Sequence, residues 1–208
     1  MERSLRTRED LQSIAGLRLP ERVLSSRDAT LARVIVAQPA RWPSVPTEEP
    51  IWGLIRMVLA QQITTHVACR LAERVRSEFP MLVNRSTDVL VPDVVALRAV
   101  GLPARRAQCC IEILRESENI LASVREGCAW EEALAGIKGI GPWTISVFRI
   151  MVLRDPDEFP ARDIGLQRAI MNVYGRNKNI ERLSENWRPF RSVACWYLWR
   201  TLGNEQLG

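Results

Sequence analysis

The chain has 208 residues, a formal charge of +5, a sequence pI near 9.3 and 47% apolar side chains, enough to bury one sizeable core or two small lobes sharing a cleft. No apolar run is long enough to cross a bilayer, and the charged start lacks the apolar core of a signal peptide. The expected setting is therefore cytoplasmic and nucleoid-associated, or nuclear in a eukaryote, with a basic balance suited to a polyanion.

A single histidine, His66, argues against a zinc site or a Ser-His-Asp triad. The cysteines, Cys69, Cys109, Cys110, Cys128 and Cys195, are scattered and odd in number, with no C-x-x-C spacing. They read as thiols in a reducing compartment.

In chain order, residues 1–26 are charged and mixed. Leu11, Ile14 and Leu17 suggest a weak helix or strand, and Pro20 stops it. Asp28 can cap a helix through Leu31, Val34, Ile35 and Gln38. Pro39, Pro43, Pro46 and Pro50 mark a linker. From Ile51 to Phe79 the pattern is helix, break, helix. Trp52, Ile55, Val58 and Leu59 give one apolar face, Gln61-Gln62-Ile63-Thr64-Thr65 is the break, and Arg70, Arg74 and Arg76 lie outside. Further helices are expected over 89–100, 107–121 and 130–134. Gly101-Leu102-Pro103 is a stop and restart, with Arg105 and Arg106 opening the second of these helices.

The most informative stretch follows. Leu134-Ala135-Gly136-Ile137-Lys138-Gly139-Ile140-Gly141-Pro142-Trp143-Thr144 reads as a helix-hairpin-helix spanning 134–153. Gly136, Gly139 and Gly141 sit where a tight turn needs positive φ or no Cβ, and Pro142 suits the first position of a new helix. Such a turn points N–H groups one way at a helix N-terminus, which suits a phosphate. A helix over 144–152 and a turn at Asp155-Pro156-Asp157 come next. Phe159-Pro160-Ala161-Arg162-Asp163 then leads into the periodic run Ile164-Leu166-Ile170. Asp163 is the candidate for chemistry; its alternative is a plain N-cap. Helices over 163–174, 180–187 and 190–202 complete the chain. With no strand alternation anywhere, the expected class is all-α.

Four blocks, Val58 to Thr64, Leu134 to Thr144, Phe159 to Asp163 and Trp187 to Ser192, resemble the helix-hairpin-helix/Gly-Pro-Asp superfamily of DNA glycosylases. The 3-methyladenine DNA glycosylase II family is the nearest type. The likeness runs from about Ile51 to Leu202. It implies two helical lobes with a cleft between them, one from 1–45 with 156–208 and one from 46–155, and no N-terminal β-domain.

The resemblance also implies roles. Gly139, Ile140 and Gly141 would grip DNA phosphates, joined by Lys138 and Thr144; Lys138 is otherwise a solvated turn lysine. The carbonyls of Ala135, Ile137 and Ile140 would hold a structural Na+ or K+. Gln62 would fill the gap left by an everted base; alternatively Gln61 and Gln62 cap helix ends. Trp143 and Trp199, with Trp52 as a further candidate, would line a pocket for a cationic base, while Trp187 and Trp196 read as core.

Asp163 would stabilise an oxocarbenium-like sugar or activate water. Arg162 stands where relatives often have a second acid. Trp143 stands where strand-nicking relatives have a lysine nucleophile, so the expected enzyme is monofunctional and leaves an abasic site in base excision repair. Only Cys195 lies near the C-terminus, so no iron–sulfur cluster is expected and no cofactor is required. The expected partner is double-stranded DNA with damaged bases, bound by a monomer. The competing readings are a non-catalytic helix-hairpin-helix DNA-binding module and a helical scaffold.

Overall fold

The computed structural model describes residues 17–43, 49–82, 91–126, 130–176 and 178–203. Among them are twelve α-helices and no strand, the all-α class expected from the sequence. No helix among the described residues is long and apolar enough to cross a membrane. The readings at Leu11, Ile14, Val89 and Cys128 lie outside the described residues. The chain forms two compact units, Met1–Ser44 with Arg154–Gly208, and Val45–Leu153.

In the first unit, α1 (Leu19–Arg27) and α2 (Ala29–Ala37) form a packed pair broken at Asp28. Pro20 opens α1 rather than stopping a preceding element. In the first turn its missing N–H costs nothing, so the same residue serves as a start. Helices α10 (Ile164–Tyr174), α11 (Ile180–Glu185) and α12 (Arg191–Arg200) complete the unit. Every residue of α12 from Ser192 to Trp199 is buried, as expected of a helix apolar on all sides and central to its unit. Helix α11 ends at Glu185, short of the expected Trp187; Trp187 is fully buried and Trp196 nearly so, as core residues.

Two carboxylates organise this unit. Glu21, fully buried, accepts from Arg18 N at 2.7 Å, Trp42 N at 3.4 Å and the Tyr197 hydroxyl. Asp28 caps α2 through Oδ1, from Thr30 N at 3.0 Å and Leu31 N at 2.9 Å. Its Oδ2 accepts from Tyr174 Oη at 2.8 Å and Trp187 Nε1 at 2.9 Å. Burial first, then the adjoining carboxylates, raises the pKa of both phenols.

In the second unit, α3 (Pro50–Ala60) is the central helix, buried along nearly its whole length. It packs on α4 (Thr65–Glu78), α6 (Ala104–Arg115) and α9 (Pro142–Phe148). Helix α5 is Val94–Ala99, capped by Asp93 at 2.7 Å to Ala96 N. Val91 to Asp93 are not helical, because the cap, not Pro92, sets the start. The expected single helix over 107–121 is two, α6 and α7 (Ser117–Glu126), separated at Glu116. Helix α8 (Trp130–Ala135) enters the hairpin. Helix α9 runs on into a π-helical turn, Arg149–Leu153, where one α-helix was expected; its apolar composition carries no signal distinguishing the two.

Asp28→Ala removes an N-cap and leaves two donors facing an apolar interior. The expected loss is about 2–4 kcal/mol, read as a melting temperature lower by roughly 5–15 °C. Asp28→Asn keeps the cap and should lose clearly less.

Candidate active site and nucleic-acid interface

The hairpin turn is closed by Ile137 N to Leu134 O at 3.0 Å and Ile140 N to Ile137 O at 3.1 Å. Only Gly139 needs glycine for the chain path: its φ is +106°, and a Cβ there would lie 3.3 Å from Cys109 Sγ. Gly136 and Gly141 do not adopt positive φ, and a Cβ on Gly136 would meet nothing closer than 3.6 Å, so the expectation of positive φ or no Cβ holds for Gly139 alone. A Cβ on Gly141 would meet nothing within 4 Å, so what Gly141 provides is open space ahead of α9. Pro142 opens α9 as expected.

The donors differ from the set read in the sequence. The Ile140 N–H is used inside the turn, so it is not a phosphate donor in this conformation. Lys138 N donates to Glu112 Oε2 at 3.3 Å, and its side chain is exposed. The N–H groups of Gly139 and Gly141 are the candidates for an anion. Thr144 is 2% exposed. It accepts a bond within the protein, so its hydroxyl is a scaffold contact rather than a DNA contact.

That bond comes from the α3–α4 loop. Gln61 Nε2 donates to Gly139 O at 3.0 Å and to Thr144 Oγ1 at 3.1 Å. Gln61 also ends α3, its N–H on Val58 O at 3.3 Å. Arg106 holds the same loop from α6, Nη1 on Leu59 O at 3.2 Å and Nη2 on Gln61 O. Between these anchors Gln62 is exposed, with φ +56°. A left-handed conformation costs a non-glycine residue about 1–2 kcal/mol, and Thr64, not Gln62, stands at the N-cap position of α4, without a side-chain cap bond. The capping alternative thus holds for Gln61 and fails for Gln62.

Three α6 side chains at three-residue intervals therefore support the loop and the hairpin: Arg106 the loop, Cys109 the glycine turn, Glu112 the Lys138 amide. Burial, then Glu112, pushes the Cys109 thiol up to about 11, so it packs as a neutral group. Sequence reasoning placed Arg106 only at a helix start and missed Gln61, Cys109 and Glu112 as interface supports. The i, i+3, i+6 stripe was the available signal.

In the first unit Asp163 is 9% exposed and caps α10, Oδ1 accepting from Leu166 N. The same oxygen accepts from Trp199 Nε1 at 2.9 Å. A Cβ on Gly165 would lie 3.2 Å from this oxygen and 3.9 Å from the Trp199 ring. Upstream, Asp163 N donates to Pro160 O at 2.9 Å and Gln167 Nε2 to Ala161 O at 2.8 Å. The turn before that is fixed by α12: Arg191 Nε donates to Asp157 Oδ1 at 2.9 Å, and Ser192 Oγ accepts from Glu158 N at 2.8 Å. Cys195 is a neutral thiol, its pKa raised by burial and then by the Asp163 charge.

The tryptophans separate. Trp143 is 39% exposed at the start of α9. Trp199 is 5% exposed and Trp52 6%; in this conformation Trp199 acts as a donor to Asp163, and Trp52 packs within α3's unit. Arg162 is exposed beside Asp163. Among the described residues no group of three or more His, Cys, Asp or Glu side chains could hold a metal ion.

The chain is similar to known proteins. The profile described as "HhH-GPD superfamily base excision DNA repair protein" matches residues 55–190. A Mycobacterium tuberculosis protein named "Probable bifunctional transcriptional activator/DNA repair enzyme AlkA" is 30% identical over 71% of this chain and 32% of its own. The chain thus spans about a third of that relative. DNA-3-methyladenine glycosylase 1 of Schizosaccharomyces pombe is 29% identical over 76% of this chain and 75% of its own. The structure of the 3-methyladenine DNA glycosylase Mag1 from the same yeast, in complex with abasic DNA, superposes with a TM-score of 0.70. It covers 89% of this chain and 97% of its own at 26% identity.

Gln62→Gly relieves a left-handed backbone without removing a described contact. The expected melting temperature is within about 4 °C of wild type or higher, as for a change worth about 1 kcal/mol or less. A drop beyond that in a thermal melt would make Gln62 a structural residue.

Proposed function

Because the chain belongs to the HhH-GPD superfamily of base excision DNA repair proteins, we propose that it is a monofunctional DNA glycosylase that removes alkylated purines of the 3-methyladenine and 7-methylguanine type from double-stranded DNA. The observation that carries this reading is the Asp163 carboxylate, buried at the start of α10 and fixed by Leu166 N and Trp199 Nε1. The names of the yeast and mycobacterial relatives support the alkylated-base class.

The tasks divide between the two units. In the second, the hairpin amides of Gly139 and Gly141 with Lys138 hold backbone phosphate, which fixes register without reading sequence. Gln62, presented by its tethered loop, enters the stack and fills the space of the everted nucleotide. Trp143 offers the exposed aromatic surface, where a cationic alkylated base gains up to about 2 kcal/mol over a neutral one when desolvated. Trp52 is core in its own unit, and Trp199 donates to Asp163 in the other.

In the first unit Asp163 acts on the sugar. The C1′–N bond breaks, the bond electrons leave with the base, and an N3- or N7-alkylated purine departs neutral. Positive charge builds at C1′ and the ring oxygen. The carboxylate stabilises that charge, and water adds to C1′ and gives up its proton, leaving an abasic site. Trp199 keeps Oδ1 oriented, so it is a positioning residue for this step.

A Na+ or K+ on the carbonyls of Ala135, Ile137 and Ile140 fits the chemistry of the turn: three neutral oxygens, of which Ile137 O spends one lone pair on Ile140 N. The ion would add positive charge beside the phosphate-binding amides. A lysine nucleophile is needed for strand scission through a Schiff base, and Trp143 stands in its place.

Wild type should release free methylated purines from alkylated duplex DNA, with no strand break before alkali and no borohydride-trapped complex. Asp163→Asn should still bind abasic-analogue duplex but lose about 10²–10⁴-fold in release rate. Release by this variant at the wild-type rate would remove Asp163 from the chemistry, and a wild type that binds without releasing base would leave a DNA-binding module.

A further inference from the structure

A cavity of about 340 Å³ opens between α4 and the α5–α6 turn, separate from the hairpin. Ile63, Val67 and Leu71 form an aliphatic floor, and Arg70, Arg74 and Arg106 surround it. Two of the guanidinium groups are held by the backbone. Arg74 Nη1 donates to Val100 O at 3.1 Å, and Arg106 holds Leu59 O and Gln61 O. Gly101 makes room for Arg74: its φ is +104°, and a Cβ there would lie 3.3 Å from Arg74 Nη1. All of these acceptors are neutral carbonyls, so the charge is oriented and not cancelled. Among the described residues none of the three arginines forms an ion pair. Arg70 is exposed at the mouth.

We propose that this cavity is a backbone subsite for the DNA strand complementary to the lesion, with a phosphate on Arg70 and Arg74 and its deoxyribose against Ile63, Val67 and Leu71. The proposal rests on the glycosylase reading for the identity of the lesion strand.

Three observations carry it. The lining joins an aliphatic surface to fixed positive charge, the chemistry of a sugar–phosphate unit. It holds no Asn, Gln, Asp, Glu, Ser or Thr, and two of its three arginines are held by backbone carbonyls, which leaves little in it to read base edges. It also shares the loop that carries Gln62: Ile63 follows the wedge directly, and Arg106 anchors the residue before it. That loop reaches the hairpin through the Gln61 side chain and the cavity through Ile63 and Arg106, and no hairpin residue lines the cavity. With one strand gripped by the hairpin, the second basic feature beside the wedge serves the other strand.

The test uses the full chain and duplexes with a tetrahydrofuran abasic analogue, into which single uncharged methylphosphonate linkages are walked along each strand. Affinity is read by fluorescence anisotropy across a salt series. For wild type, one or two linkages in the complementary strand near the lesion should weaken binding about tenfold, the size of one charge-assisted hydrogen bond. Arg70→Gln/Arg74→Gln should be indifferent to those linkages while responding normally to the ones in the lesion strand. Its plot of log affinity against log salt should be shallower by about 1 for each phosphate the variant no longer neutralises. Val67→Glu, which leaves the Arg74 bond intact, should reproduce this indifference.

A wild type insensitive to every complementary-strand linkage overturns the proposal, as does a double variant that responds as wild type does. Release of methylated bases is measured in parallel. If release occurs and the complementary strand is silent, the subsite alone is lost. If the strand pattern holds without release, the subsite stands and the catalytic reading is lost.

Discussion

The side-chain amide of Gln61 ties together the parts to which the proposed function assigns contact with DNA. One nitrogen reaches a carbonyl in the glycine turn and a hydroxyl in the following helix, so the α3–α4 loop and the hairpin form one framework. Helix α6 braces both from beneath, with a cation for the loop, a thiol under the glycine and a carboxylate for the Lys138 amide. None of these groups needs to touch substrate. Their effect is to fix Gln62 in a conformation the isolated chain would avoid, so that ordering it is completed on folding and not on binding.

The carboxylate at 163 bears on an opposition raised by the sequence. An aspartate before a helix is read either as a cap or as a reactive group; the cap is present here, and in the proposed function it is also what positions the group. Leu166 N and Trp199 Nε1 converge on one oxygen, while Asp157, Arg191 and Ser192 immobilise the approach. Trp199, read from the sequence as a pocket wall, turns its polar edge to the carboxylate. Aromatic identity alone does not reveal which part of an indole a site uses.

What was legible in the sequence was local. Pro142 beginning a helix, Asp28 and Asp163 capping, the loop at 61–64 and the all-α class all rest on residues a few places apart. What was not legible depends on contacts far along the chain. Gln61 meets partners 78 and 83 residues away, and no periodicity records such a pairing. Pro20 was misread because proline both ends and begins helices, and only the residues around it, here Arg18 and Glu21, decide which. The π-helical turn after Phe148 was invisible because its residues suit an α-helix equally well. Gly136 and Gly141 were over-interpreted for the opposite reason: a glycine permits an unusual backbone without requiring one.

Gly165 carries a consequence for any effort to harden this protein. It sits in the first turn of α10, where alanine would ordinarily improve helix formation by up to about 1 kcal/mol. The added methyl would press on the acid's bound oxygen and on the indole edge that steadies it. The most obvious thermostabilising replacement in that helix is therefore the one that would disturb the carboxylate to which the proposed function gives the chemistry, so a sturdier first turn of α10 and an undisturbed acid exclude each other.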